Sequence, residues 1–177
     1  MTAPVANDRL QKRFDKWDSD GNGILEWSDF EQEAAKIAQN FGADARSKEA
    51  KALREGFRNL FDHLTQAAGA PSNGPLSRDQ FLSVTQNLIF EGGEADFNRA
   101  LGPVVKGIVG LCDKNADGQI NAGEFEAWLA GIGVDRSAAQ EAFRKVDSDD
   151  NGELSVDELL AAVREYHFGR LDVELLG

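Results

Sequence analysis

Apolar side chains recur along this chain at helical intervals, and the runs are interrupted by short stretches rich in Asp, Asn and Gly. Leu10, Phe14 and Trp17 precede the first interruption. Phe30, Ala34, Ile37, Ala38 and Phe41 follow it at i, i+4, i+7, i+8 and i+11, the spacing of one buried helix face. Ile108, Val109 and Cys112 lead into a second acid-rich stretch, and Phe125, Trp128, Leu129 and Ile132 lead away from it. Ala139, Phe143 and Val146 precede a third, with Leu159, Val163 and Tyr166 beyond. Each interruption sets acids or amides at alternate positions, then Gly, then an aliphatic residue two places later. The pattern predicts a repeated helix, loop, helix unit.

The last two interruptions begin at Asp113 and Asp147, a spacing that fits two such units joined by a short linker around Gly131 and Gly133. The first has no such neighbour, and the stretch from Asp29 to Asp113 is too long for a structureless connection. Two further helical stripes fill it: Leu53, Phe57, Leu60, Phe61 and Leu64, then Phe81, Val84, Thr85, Leu88 and Ile89. Between them, Gly69 to Gln80 puts Gly74 and Leu76 in the glycine and aliphatic places, but Gly69, Pro71 and Gln80 stand where the other loops carry polar oxygen ligands. This reads as a degenerate unit that pairs with the first, Leu76 against Leu25, as Ile120 pairs with Leu154. Gly92 and Gly93 mark a helix end and the expected joint between residues 1–93 and 94–177. Pro103 either begins the next helix or kinks it. The expected fold is all-α: four helix-loop-helix units paired into two lobes, packed as a compact globule, with short two-strand bridges between paired loops.

Charge narrows the partners. The 31 acidic residues outnumber the 19 basic ones, for a formal net charge of -12, which repels nucleic acid and anionic lipid and favours cations. No apolar run reaches the roughly 20 residues of a membrane span. Met1 to Leu10 has no apolar stretch behind a basic cluster, so a cytoplasmic protein is expected. The single cysteine, Cys112, forms no intramolecular disulfide and reads as a small buried apolar side chain. No hydrolytic, phosphate-cradling or redox motif accompanies the loops, so an enzyme is not expected.

The acid-rich loops suit calcium. This hard dication takes about six to eight oxygens at about 2.3 to 2.6 Å, and a twelve-residue loop supplies them from positions 1, 3, 5, 7, 9 and 12. The middle loop offers Asp113, Asn115, Asp117, the Gln119 carbonyl, Asn121 through a water, and Glu124. In the last loop the same places hold Asp147, Asp149, Asn151, the Glu153 carbonyl, Ser155 and Glu158. The first loop offers Asp18, Asp20, Asn22, the Ile24 carbonyl, Glu26 and Asp29. Asp29 is one methylene shorter than Glu, so the first loop is expected to discriminate less well against magnesium, with Glu26 compensating by binding directly. Such clustered carboxylates repel one another without a cation, so binding should also be folding free energy. Three calcium ions, with magnesium as a competitor, would halve the net charge.

The segments DKNADGQINAGEF and DSDDNGELSVDEL match the EF-hand pattern, and active hands 1, 3 and 4 with a degenerate hand 2 resemble the sarcoplasmic calcium-binding proteins. LGPVVKGIVGLCDKNADGQIN and the ending YHFGRLDVELLG are similar to the bacterial members of that group. The resemblance spans the chain and implies a four-hand globule that buffers calcium in a bacterial cytoplasm. Asp29 departs from the general EF-hand pattern at loop position 12.

Three roles compete. A sensor of the calmodulin type opens a methionine-rich groove, and this chain has only Met1, with rigid Phe, Leu and Ile in its stripes. A monomeric intracellular buffer or transporter of calcium is therefore expected, with a sensor that recruits a protein partner as the alternative. Leu171, Val173, Leu175 and Leu176 are expected to cap a hydrophobic cleft. A carrier of an apolar ligand would need convergent polar groups. His63, Tyr166, His167 and the three Trp are the available ones, and they read as ordinary core or surface residues.

Overall fold

The computed structural model describes residues 3–131 and 133–172, with side chains from Asn7 onward. Ile132, Val173, Leu175 and Leu176, assigned above to core or cap, lie outside the described residues. Helices α1 (Ala3–Trp17) and α2 (Trp27–Asn40) flank the first loop, and α3 (Lys48–Ala68) and α4 (Arg78–Gln86) the second. Helices α5 (Gly93–Cys112) and α6 (Ala122–Gly131) flank the third, and α7 (Arg136–Val146) and α8 (Val156–His167) the fourth. The loops meet in pairs through two-residue antiparallel strands. Strand β1 (Ile24–Leu25) sets Leu25 opposite Leu76 of β2 (Leu76–Ser77), and β3 (Ile120–Asn121) sets Ile120 opposite Leu154 of β4 (Glu153–Leu154). All four of these central residues are fully buried, so each bridge is anchored from beneath by its own side chains.

Local chemistry starts and stops the helices. The Ser47 hydroxyl accepts from the Ala50 amide (3.1 Å) at the head of α3, and Asp135 accepts from the Ala138 amide (2.8 Å) at the head of α7. Gly69 takes a left-handed conformation (φ 69°) that closes α3. The stripe from Phe81 to Ile89, read above as one helix, behaves differently. Its α-helical part ends at Gln86, and Asn87–Glu91 form a π-helical turn in which the Gly92 amide donates to the Asn87 carbonyl (2.7 Å). The wider turn keeps Leu88 and Ile89 buried as the chain redirects at Gly93 (φ 80°) into α5.

One continuous core joins the two hand pairs. In the first pair, Trp17, Phe30, Phe57, Phe61 and Phe81 interlock, with ring centroids 4.9 Å apart for Trp17–Phe30 and 4.8 Å for Phe30–Phe61. Helices α3 and α5 form the most extensive helix contact and hold the pairs together. Their approach depends on two glycines. A Cβ on Gly56 would come 2.5 Å from the Pro103 carbonyl oxygen, and one on Gly107 would come 2.7 Å from the Leu53 Cα. Pro103 sits inside α5 rather than at its start. Proline has no amide proton, so the Arg99 carbonyl one turn earlier lacks its usual helix donor, and Asn59 of α3 donates Nδ2 to it (3.3 Å). Among the described residues no helix is long and apolar enough to cross a membrane.

Candidate metal centre

The three acid-rich loops share one backbone design. Each has a left-handed residue at position 4, namely Gly21 (φ 68°), Ala116 (φ 57°) and Asp150 (φ 55°), and a left-handed glycine at position 6, namely Gly23 (φ 83°), Gly118 (φ 79°) and Gly152 (φ 83°). These two reversals curl the chain around the first-position carboxylate. Asp18 accepts from the amides of Asn22 (3.2 Å) and Gly23 (2.8 Å), Asp113 from Asp117 (3.2 Å) and Gly118 (2.7 Å), and Asp147 from Asn151 (3.2 Å) and Gly152 (2.9 Å). The position-5 side chains accept from the position-7 amides: Asn22 from Ile24 (3.1 Å), Asp117 from Gln119 (2.9 Å) and Asn151 from Glu153 (2.9 Å). Gly21 and Asp150 are residue types that favour this left-handed backbone, whereas Ala116 gives no local signal of it.

The twelfth residue closes each loop from the first turn of the following helix. Glu124 spans the amides of Lys114 and Asn121 (3.0 Å each), and Glu158 spans those of Ser148 (2.8 Å) and Ser155 (3.1 Å). Asp29, although shorter, makes the same span, accepting from Ser19 N (3.3 Å) and Glu26 N (2.9 Å), with the Ser19 hydroxyl added at 2.9 Å. It is buried, as is Glu124. At position 9, Ser155 and Asn121 cap their helices, accepting from the amides of Glu158 (3.1 Å) and Glu124 (2.9 Å). Glu26 stands at the same place at the head of α2.

Carboxylate oxygens of Asp18, Asp20 and Asp29 lie within 4.8 Å of one another, and so do those of Asp147, Asp149 and Glu158. Oxygens so crowded fit a hard dication, which converts their repulsion into attraction. In the middle loop Asn115 takes the third position, and the Asp117 carboxylate faces that of Glu153 across the β3–β4 bridge. That contact and the negative charge of Asp117 push the Glu153 carboxyl up. Desolvation, then the nearby Asp147 and Glu158, push Asp149 up. Burial also works against ionised Glu158, but the hydrogen bonds from Ser155 and Ser148 outweigh it and hold that carboxyl below its ordinary value.

The second loop keeps part of this design without acids at its ligand positions, and its position-4 residue, Ser72, is not left-handed. Gly74 (φ 87°) makes the sixth-position reversal, and Ser77 and Gln80 cap each other: the Ser77 hydroxyl accepts from Gln80 N (3.1 Å), and Gln80 Oε1 accepts from Ser77 N (2.9 Å). Among the residues read above as ligand-cavity candidates, Trp17 and His167 line an apolar cavity of about 40 Å³ bounded also by Leu10, Phe81, Phe97 and Leu101. Tyr166 lies beneath the Arg9 guanidinium, 4.1 Å from its ring centre, and His63 faces a separate surface groove. Cys112 is buried, and burial pushes its thiol up, away from reactivity.

Comparison with known proteins agrees with this geometry. The EF-hand domain pair family matches residues 106–164. Calerythrin of Saccharopolyspora erythraea is 62% identical over 177 residues, 100% of each chain, and the luciferin-binding protein of Renilla reniformis is 27% identical over 164 residues, 91% of this chain and 85% of that one. Among solved structures, a calcium-binding protein of Streptomyces coelicolor superposes with a TM-score of 0.72 at 26% identity, covering 92% of this chain and 98% of that one. Calcium-loaded apo-aequorin from Aequorea victoria superposes at 0.71 with 19% identity, covering 97% and 92%, a likeness of fold alone. The 62% identity along the whole length, carried on three loops of common design, places the chain in the calerythrin family of EF-hand calcium-binding proteins.

Proposed function

We propose that the protein is a monomeric, cytoplasmic calcium buffer that takes up three ions, in the loops Asp18–Asp29, Asp113–Glu124 and Asp147–Glu158, with the second hand as a support that binds none. The observation that carries the buffer role is the packing of the hands. Their apolar faces are spent on one shared core, and among the described residues Phe90, 37% exposed, is the one large hydrophobic side chain left at the surface. A sensor must present an apolar groove to its target, and a core of interlocked rigid rings resists that opening. Leu171, buried where the chain returns past α8, supports the cap reading.

The ligand set follows loop position. Asp18, Asp20, Asn22, the Ile24 carbonyl, Glu26 and Asp29 would hold the first ion. Asp113, Asn115, Asp117, the Gln119 carbonyl, Asn121 through a water, and Glu124 would hold the second. Asp147, Asp149, Asn151, the Glu153 carbonyl, Ser155 and Glu158 would hold the third. A carrier role, suggested by the luciferin-binding relative, is disfavoured because the apolar cavity beside Trp17 and His167 is about 40 Å³, far below the roughly 300 Å³ that small-molecule pockets need, and the larger hollows of about 290 to 420 Å³ are surface grooves lined with charged side chains. Titration of metal-free protein with calcium in a magnesium background, with ions counted by native mass spectrometry, tests the proposal. Three ions and a fall in apolar-dye binding are expected. Two or four ions would overturn the ligand assignment, and a calcium-induced rise in dye binding would favour the regulatory role described for the Streptomyces coelicolor protein.

A further inference from the structure

The second loop keeps the sixth-position reversal, the strand pairing and the helix cap of its neighbours while lacking their acids. A cation of the chain's own stands against it. Arg58, on α3, donates Nη1 to Asn73 Oδ1 (2.9 Å) and Nη2 to the Ser72 carbonyl (3.1 Å), so its planar fork ties positions 4 and 5 of the loop. The same guanidinium pairs with Asp62 (3.0 Å) and lies 4.8 Å from the ring centre of Trp27, at position 10 of the first loop. The Asn73 carbonyl in turn accepts from the Trp27 amide (3.4 Å). Arg58 therefore touches both loops of the pair.

We infer that Arg58 is a positioning residue that braces the second loop in place of a metal ion and thereby sets the calcium affinity of the first. The first loop presents Ile24 and Glu26 on and beside β1, and β1 has β2 as its strand partner. If the second loop frays, those groups lose their alignment and must be ordered at the expense of ion binding. A guanidinium stays charged at all physiological pH values and cannot dissociate, so the brace is present before calcium arrives. In the C-terminal pair, by contrast, two acid-rich loops face each other. The inference rests on the reading that the first loop binds calcium.

Arg54 provides a control. It stacks on the same Trp27 ring (5.4 Å) and pairs with Glu31, with no hydrogen bond to the second loop among those described. The test is a calcium titration followed by NMR, with the amides of Gly23, Gly118 and Gly152 reporting the three sites separately, on Arg58→Ala, Arg58→Lys and Arg54→Ala. Arg58→Ala should weaken the Gly23 site by about tenfold while leaving the other two within about twofold, the size typical of residues that orient metal ligands. Arg58→Lys should recover part of the loss, because it restores the charge but not the fork, and Arg54→Ala should change little. Amide exchange at Trp27 and Leu76 in calcium-free protein should quicken in Arg58→Ala, a readout that does not depend on calcium at the first loop. Unchanged exchange, an unchanged Gly23 site, or an equal loss in Arg54→Ala would overturn the inference. A native protein that shows no calcium response at Gly23 would overturn the first-loop assignment instead, with the exchange measurement still deciding the brace.

Discussion

The two hand pairs solve one problem with different materials. In the C-terminal pair both loops are acidic and face each other across β3–β4, where Asp117 pushes the Glu153 carboxyl up. In the N-terminal pair one loop is acidic, and its partner is neutral along Gly69 to Gly74 and tied down by Arg58. Beneath the latter lies the denser aromatic cluster, Trp17, Phe14, Phe30, Phe57, Phe61 and Phe81, whereas Phe125, Trp128 and Phe143 carry the C-terminal pair. The difference teaches that a paired EF-hand needs a partnered backbone and a way to offset its carboxylates. In the N-terminal pair the partner loop is held by hydrogen bonds from Arg58 above the aromatic cluster.

Removing calcium should separate the pairs most strongly. At free calcium about a thousandfold above the dissociation constant, each occupied site adds about 4 kcal/mol of stability, so the C-terminal pair stands to lose about twice what the N-terminal pair loses. Hydrogen exchange in chelator should therefore show α6 to α8 opening before α1 to α4; equal protection across the chain would break the comparison.

The glycines at position 6 give the next largest contrast. A Cβ on Gly74 would meet the Leu25 carbonyl oxygen at 2.8 Å in addition to adopting a left-handed φ, whereas one on Gly118 meets nothing within 4 Å. In thermal melts of calcium-free protein, Gly74→Ala should cost about 3 kcal/mol, from strain plus overpacking, and Gly118→Ala about 1 to 2 kcal/mol from strain alone. At position 12 the contrast is smaller. Asp29→Glu should raise calcium over magnesium selectivity at the first loop on the order of tenfold, about 1.4 kcal/mol, in competitive calorimetry. Unchanged affinities would mean that the span made by Asp29 already serves both ions alike.

The smallest effect is proton linkage. The Glu153 carboxyl is raised by Asp117 and the Asp149 carboxyl chiefly by desolvation, so the folded protein without calcium binds protons there more tightly than the unfolded chain does. Their contribution to stability is present at acid pH and falls as pH rises through those raised values. Calcium should expel these protons, giving a fraction of a proton released per ion in weakly buffered titrations just above the ordinary carboxylate range of about 4 to 4.5. Glu153→Gln should reduce that release.

Much of the fold was legible because EF-hand information is local. The acids, the turn glycine and the aliphatic residue lie within twelve positions, and the flanking stripes carry helical period, so the elements and the Leu25–Leu76 and Ile120–Leu154 pairs could be read directly. The stripe through Ile89 misled, since apolar spacing of three and four residues does not separate an α-turn from the π-turn at Asn87–Glu91. That the backbone brings the two oxygens of the shorter Asp29 to the same pair of loop amides that the longer glutamates reach is not visible in side-chain length alone.

The sequence by itself determined where chelating oxygens are concentrated, which loop lacks them, and which helix faces are buried. Each of these depends on neighbours a few positions apart and on the side chains' own chemistry. Only the tertiary structure decided that Arg58 meets Asn73, that Asn59 answers the carbonyl freed by Pro103, and that Gly56 and Gly107 admit the α3–α5 crossing. Those contacts join residues far apart along the chain, where geometry depends on how whole helices pack and no local period encodes the partner.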